Sequence, residues 1–266
     1  MIIRKIGVFC NTDSYSKKIY KKLINKLSCN GYSVDNDNFD LAIAIGGDGA
    51  FLKMVHECDF NDRVYYLGIN TGTLGFAQEI NPLEIDIFLQ MLKDEKYQIE
   101  NISIGITNIY VKDKEYHLKF LNEILIRQND LKTINLDIHI NKQLLENFRG
   151  DGILVATSFG TSAHNLGYGG SIVYSDLHVL ELTPIAPLNS RSYRTLSNSV
   201  IIPEKREICI MSNDNSKNIL LTCDGEHYIY NDVEKIEITV KREKIKCLRM
   251  YNYDYTKRIY EKMIKG

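Results

Sequence analysis

From about residue 99 onward the apolar positions of this chain change period, and no other feature limits its possible folds as much. Before that point Ile19, Leu23 and Leu27 recur at the spacing of one helix face, beside Tyr20 and Ile24. "LAIAI" at 41–45 is apolar on both faces, as a strand inside a parallel sheet is. After it the apolar residues alternate: Ile102, Ile104 and Ile106, then Leu136, Ile138 and Ile140, then Ile236, Ile238 and Val240. Alternation is the period of a half-buried strand.

Residues 1–98 therefore predict a Rossmann-like α/β domain. Its strands fall at 2–9, 41–45 and 64–69. One helix stops at Asn30-Gly31, a second lies near 50–57, and a third opens at Asn81-Pro82 and runs to about 94 with Leu83, Ile87 and Met91 on one face. Residues 99–250 predict a mainly β, sandwich-like domain in which "KDKE" and "NKQ" make turns. The tail, 251–266, reads as weakly helical and is expected to return to the first domain.

Charge narrows the partners. Lys plus Arg number 33 against 34 for Asp plus Glu, so no whole-protein field favours nucleic acid or an anionic membrane, and small-molecule partners are expected. Six cysteines form no C-x-x-C pair and no zinc-like spacing, which reads as free thiols in a reducing compartment. The apolar N-terminal stretch is short and broken, and no window approaches the roughly 20 apolar residues that span a bilayer. A cytoplasmic protein is expected.

Three glycine-rich loops carry the chemistry. In "IAIGGDGAFLKMV", residues 43–55, Gly46, Gly47 and Gly49 surround Asp48 between a strand and a helix. Strand, glycines and helix N-terminus suit an anion, and they equally suit a tight turn. Asp48 bears on the choice. A carboxylate beside a phosphate costs about 4 kcal/mol per charge pair at ~4 Å and an effective dielectric near ~20, so it needs a compensating partner. A divalent metal, or a hydroxyl about to attack a phosphoryl group, would serve. Helix N-capping is the structural alternative. Lys53, about a turn and a half on, is either phosphate support or an ordinary exposed lysine. "NTGTLGF" at 70–76 again follows an apolar strand, where ligands bind in open α/β sheets. "RGDGILVATSFGTSAHNLGYGGSIV" at 149–173 alternates glycines with hydroxyl residues.

Together with "FLNEILI" at 120–126, these loops, in this order, resemble the ATP-NAD kinase family over about residues 41–227. The resemblance implies an N-terminal α/β domain, a C-terminal β-rich domain, and phosphorylation of the 2′-hydroxyl of the adenosine ribose of NAD to give NADP. ATP is the implied donor, with another nucleoside triphosphate or polyphosphate as alternatives. Mg²⁺ or another divalent cation would bridge the phosphates, with no metal-ligating residue assigned. Asp48 becomes the implied base for the 2′-hydroxyl, and Gly46, Gly47 and Gly49 shape the phosphate loop near Lys53. Asn122 and Glu123 match the pair that contacts NAD. Glu123 can accept ribose hydroxyls, and Asn122 can both donate and accept at a base edge. Arg149, Asp151, Ser162, Ala163, His164, Gly167 and Ala186 match further dinucleotide positions. A homodimer or homotetramer is also implied.

Several residues depart from the family pattern. Ala50 stands where a threonine is usual, His164 where a tyrosine is usual, and Phe159 where a small hydroxyl residue is usual. Asp224-Gly225 resembles a later family motif but reads as a hairpin turn, outside the site. Two rival functions remain: another kinase with a GGDG loop acting on a lipid or sugar, and a non-catalytic dinucleotide sensor.

Overall fold

The computed structural model describes residues 3–72, 75–130, 132–191, 193–213 and 218–265. Residue 2 of the expected first strand, Thr73 and Leu74 of "NTGTLGF", and Gly266 of the tail lie outside them. The chain divides into two compact units, residues 1–101 with 244–266, and residues 102–243.

The first unit begins with β1 (Lys5–Cys10) and α1 (Ser14–Cys29). The Asp13 carboxylate accepts from the Ser16 amide at 2.8 Å, satisfying one of the donors a helix start leaves open. Ile19, Leu23 and Leu27 are buried, and the helix ends at Asn30 with Gly31 at φ +83°. Then come β2 (Ser33–Val34), β3 (Leu41–Gly46), α2 (Asp48–Glu57), β4 (Tyr65–Asn70), α3 (Ile85–Lys93) and β5 (Tyr97–Ile102). All six residues of β3 are buried, as the two-faced apolar run requires.

The third helix differs from expectation. Asn81 and Glu84 form a capping box, but residues Pro82–Glu84 make a 3-10 turn before α3 begins. Within α3 the inward stripe is Ile85, Phe88, Leu89 and Leu92 at helical spacing, with Met91 at its edge, so Leu83 and Ile87 are exposed and Met91 alone of the expected face is buried.

The second unit holds β6 (Gly105–Val111), β7 (Lys114–Phe120), β8 (Glu123–Gln128), β9 (Ile134–Ile140), β10 (Gln143–Gly150) and β11 (Gly152–Thr157). A short helix, α4 (His164–Gly167), precedes β12 (Val179–Ile185), β13 (Val200–Pro203), β14 (Ile208–Ser212), β15 (Ile219–Cys223), β16 (Glu226–Tyr230) and β17 (Val233–Val240). These strands form two six-stranded sheets, ordered β10-β9-β14-β17-β6-β7 and β13-β12-β11-β8-β15-β16. One apolar cluster unites them, with Leu136, Ile138 and Ile236 from the first sheet and Ile126, Val155 and Leu221 from the second. The "NKQ" turn has Asn141 at φ +48° and Lys142 at φ +69°, the paired positive angles of a tight hairpin. Ile102 and Ile106, expected on one strand, lie on β5 and β6.

The chain then re-enters the first unit through β18 (Ile245–Met250) and α5 (Tyr255–Ile259). The expectation assigned residues up to 250 to the second domain. In the structure β18 pairs parallel to β4, giving the order β2-β1-β3-β4-β18-β5. Cys247, Leu248 and Arg249 are consecutively buried, a strand covered on both faces.

Arg249 and Arg258 fix this return. Arg249 meets Glu100 at 2.6 Å, Glu79 at 3.5 Å and the Ala77 carbonyl at 3.1 Å. Arg258 donates to the carbonyls of Phe76 at 2.9 Å and Gln78 at 2.6 Å, and it also pairs with Glu79. Burial pushes the Glu79 carboxyl up, and the two guanidinium groups oppose that shift. Among the described residues no helix is long and apolar enough to cross a membrane. Removing one member of a buried ion network leaves its partners desolvated. Arg249→Met should lower the unfolding free energy by about 3–5 kcal/mol in urea denaturation.

Candidate functional site

Within the first unit, Gly46, Gly47, Asp48 and Gly49 join β3 to α2. Glycine permits positive φ. None of the three adopts it, and they serve by lacking a side chain. A Cβ on Gly46 would lie 2.4 Å from the Cβ of Ala50, whereas Gly47 and Gly49 face open space. The cap of α2 is Gly47, with no side-chain hydrogen bond, so Asp48 is not an N-cap.

The Asp48 carboxylate instead accepts two backbone amides, Phe76 on Oδ2 at 2.9 Å and Ala77 on Oδ1 at 3.0 Å. Both oxygens are held, and each keeps lone-pair capacity for one more donor. Gln78 Nε2 donates to the Gly47 carbonyl at 2.6 Å, tying the two loops a second time. A cleft of ≈ 440 Å³ opens beside the glycines, lined by Asn11, Thr12, Gly47, Gly49 and Lys53 among others. Lys53 is exposed and 3.7 Å from Glu57 on the next helical turn. Ala50 also lines the cleft and contributes no hydroxyl to it.

In the second unit, Asn122 and Glu123 stand at the start of β8. Glu123 is only 4 % exposed. Its Oε1 lies 3.0 Å from His164 Nδ1, and its Oε2 is buried without a hydrogen-bond partner. Burial, reinforced by Asp224, pushes its carboxyl up to about 8. The turn at 159–162 packs so closely that a Cβ on Gly160 would lie 2.1 Å from the Asn122 carbonyl oxygen. Ser162 and Ala163 lead into α4, half-buried, and Gly167 ends it, exposed. The residue after His164, Asn165, donates to the buried Glu181 at 2.8 Å and accepts from Thr183 Oγ1 at 2.6 Å.

Arg149, Asp151 and Ala186 group elsewhere in the same unit. The Asp151 amide donates to the Ile185 carbonyl at 2.9 Å, Ala186 sits at φ +44°, and the Arg149 guanidinium lies 3.8 Å from the Tyr193 ring centroid. On β11, Ala156 is opposite Glu123 while Gly152 is opposite Ile185. Four residues of strand separate the two registers, about 13 Å at ~3.3 Å per residue. The structure therefore brings Asn122, Glu123 and His164 together and leaves Arg149, Asp151 and Ala186 as a second group.

Asp224 was set aside as a turn residue, and it is one, at φ +47° followed by Gly225 at φ +92°. Its carboxylate also accepts the amides of Leu121 at 2.7 Å, Asn122 at 2.8 Å and Glu123 at 3.2 Å. No local pattern announces such a contact across some hundred residues. Among the described residues no group of three or more His, Cys, Asp or Glu could hold a metal ion.

The family model for the ATP-NAD kinase N-terminal domain matches residues 6–97, and that for the ATP-NAD kinase C-terminal domain matches 121–251. The NAD kinase of Finegoldia magna is 36 % identical over 251 residues, 91 % of this chain and 92 % of that protein. The NAD kinase of Streptococcus gordonii is 35 % identical over 248 residues, 91 % of this chain and 88 % of that protein. In fold, a yeast NADH kinase complexed with NADH superposes with a TM-score of 0.87 at 22 % identity, covering 100 % of this chain and 89 % of that one. An NAD kinase from Archaeoglobus fulgidus in complex with ATP gives 0.77 at 21 % identity, covering 97 % and 98 %.

Asp224→Asn keeps a residue tolerant of positive φ but turns an amide NH₂ toward backbone donors. It should cost about 1–3 kcal/mol, read by urea denaturation, with faster amide exchange at residues 121–123.

Proposed function

This chain belongs to the ATP-NAD kinase family, and from that premise we propose that it transfers the γ-phosphoryl group of ATP to the 2′-hydroxyl of the adenosine ribose of NAD, giving NADP. Members of the family phosphorylate NAD to NADP. One observation carries the reading for this chain: the Asp48 carboxylate, anchored by the Phe76 and Ala77 amides at the start of α2, beside glycines that leave a cleft open.

In the proposed mechanism Asp48 accepts the 2′-hydroxyl proton as that oxygen bonds to the γ-phosphorus. The bond from the γ-phosphorus to the β,γ-bridging oxygen breaks, and ADP leaves with the electron pair. Two amide donors keep the carboxylate oriented without occupying all its lone pairs, so little reorganisation is needed at the moment of transfer. Amides at the N-terminus of α2 and the side chain of Lys53 are the proposed donor-phosphate contacts. Glu123, with its free Oε2, is the proposed acceptor of a ribose hydroxyl, and Asn122 the contact to a base edge. Ser162, Ala163, His164 and Gly167 are proposed to line the dinucleotide, with Arg149, Asp151 and Ala186 contributing from the second group.

Among the described residues no group of three or more His, Cys, Asp or Glu forms a metal cage. The donor is proposed to arrive as its magnesium complex, the cation held by phosphate oxygens and water as part of the substrate. A cytoplasmic homodimer or homotetramer completes the proposal.

Two measurements test it. Asp48→Asn should lower turnover by about 100-fold or more while the KM for NAD stays within about 3-fold, measured as NADP formed from NAD and ATP. Turnover close to wild type would make the base assignment wrong and leave family membership intact. Excess EDTA should stop NADP formation without moving the melting temperature of the nucleotide-free protein. A drop in that temperature would point to a metal bound by the chain itself. Replacing ATP by another triphosphate or polyphosphate, and NAD by a lipid or sugar, separates the donors and the rival kinases. NAD binding with no product from any acceptor would support the sensor.

A further inference from the structure

We infer that Arg258 is a positioning residue for Asp48: it holds the far side of the peptide group whose amide donates to Oδ1, so α5 sets the aim of the acid. The inference rests on the proposal that Asp48 is the base. A trans peptide group is planar, with its C=O and N–H on opposite sides. In the group that joins Phe76 to Ala77, the N–H is the Ala77 amide, which donates to Asp48 Oδ1 at 3.0 Å. The oxygen is the Phe76 carbonyl, which accepts from Arg258 Nη1 at 2.9 Å. One rigid plane thus has a guanidinium on one side and the acid on the other.

The chain aims Arg258 at that plane. Asp254 caps α5, its Oδ1 accepting the Lys257 amide at 2.8 Å, and Arg258 follows directly. The guanidinium also donates to the Gln78 carbonyl at 2.6 Å and pairs with Glu79. The Arg258 side chain is 10 % exposed and that of Glu79 4 %, so water competes little for these donors. Tyr255 sets its ring edgewise on Phe76, 6.4 Å between centroids. Pairing with Glu79 alone would fasten α5. The two carbonyls and the ring contact fix residues 76–78 as well.

Arg249 does different work. It reaches the Ala77 carbonyl at 3.1 Å, an oxygen of the next peptide group, whose N–H belongs to Gln78. The two amides on Asp48 are those of Phe76 and Ala77. Arg249 therefore secures the fold of the return, and Arg258 is the member of the pair in line with the acid.

Once Arg258 is replaced, the plane between Phe76 and Ala77 can rotate about its flanking bonds. Oδ1 then loses a fixed donor, while the Phe76 amide still holds Oδ2. A carboxylate held at one oxygen turns about its Cβ–Cγ bond, so fewer bound substrates meet it in reacting geometry. The loss falls on kcat and not on KM.

The test measures NADP formation by the full chain, with NAD and ATP varied in turn and each protein well below its melting temperature. The proteins are wild type, Arg258→Lys, Asp48→Asn and the double variant of both. Arg258→Lys should lower kcat on the order of 10-fold with both KM values within about 2-fold, because an ammonium lacks the planar fork that spans two carbonyls and a carboxylate. On the Asp48→Asn background the same change should cost less than about 2-fold, since no base is left to aim. If Arg258→Lys does not fold, Arg258→Gln, which keeps a donor for one carbonyl, should behave alike. Arg249→Met should lose more melting temperature and less kcat than Arg258→Lys, and the reverse order in kcat overturns the inference. A wild-type kcat in Arg258→Lys, a loss that appears in KM, or an undiminished loss on the Asp48→Asn background also overturns it and leaves the kinase reading standing. Asp48→Asn with near wild-type turnover overturns the base assignment instead, and a wild-type protein that makes no NADP overturns the kinase reading.

Discussion

The grip of two arginines on three consecutive carbonyls organises the first unit. Arg258 holds the carbonyls of Phe76 and Gln78, Arg249 holds that of Ala77, and the amides of Phe76 and Ala77 hold Asp48. Cations thus polarise the far side of the same peptide segment that donates to the acid, and hydrogen bonds in such a chain reinforce one another. Glu79 sits between the guanidinium groups and keeps two positive charges compatible in a space with little water.

The second unit solves a different problem, holding carboxylates inside a β sandwich. Asp224 spends its charge on three backbone amides, Glu181 on Asn165 and the Ser171 amide, and Glu123 on His164. Each is paired with donors, but Glu123 alone of the three keeps a buried oxygen with no partner. Polar satisfaction is the rule in protein interiors, and a single exception among paired neighbours marks where a ligand fits the accounting. Gly160 supports that exception sterically, since any side chain there would push the turn away from Asn122.

Much of this was legible in the sequence. The period change separated the two architectures because a buried parallel strand such as Leu41–Gly46 and a sandwich strand such as Ile134–Ile140 expose different numbers of faces. The ordered loops identified the family, which the matched domains and relatives then showed. What escaped has a common cause. The strand Ile245–Met250, the arginine pair and the reach of Asp224 all depend on partners far away in the chain, which neither period nor motif encodes. The exposed Leu83 and Ile87 escaped for a local reason: this segment is apolar at more positions than one stripe holds, and Ile85, Phe88, Leu89 and Leu92 form the stripe that packs inward. His164 was visible as a departure from the family pattern, but its pairing with Glu123 needed coordinates.

Because β18 occupies an interior place in the first sheet, between β4 and β5, that sheet is assembled from segments separated in the sequence by the whole second unit. A nascent chain that has emerged only through the second unit contains Asp48 and its glycines, yet lacks β18 and both arginines. The segment that donates to Asp48 then lacks its arginine anchors, and the gap between β4 and β5 leaves strand edges open to other chains. The support of the Asp48 loop by Arg249 and Arg258 is therefore added only when residues 245–258 join the sheet.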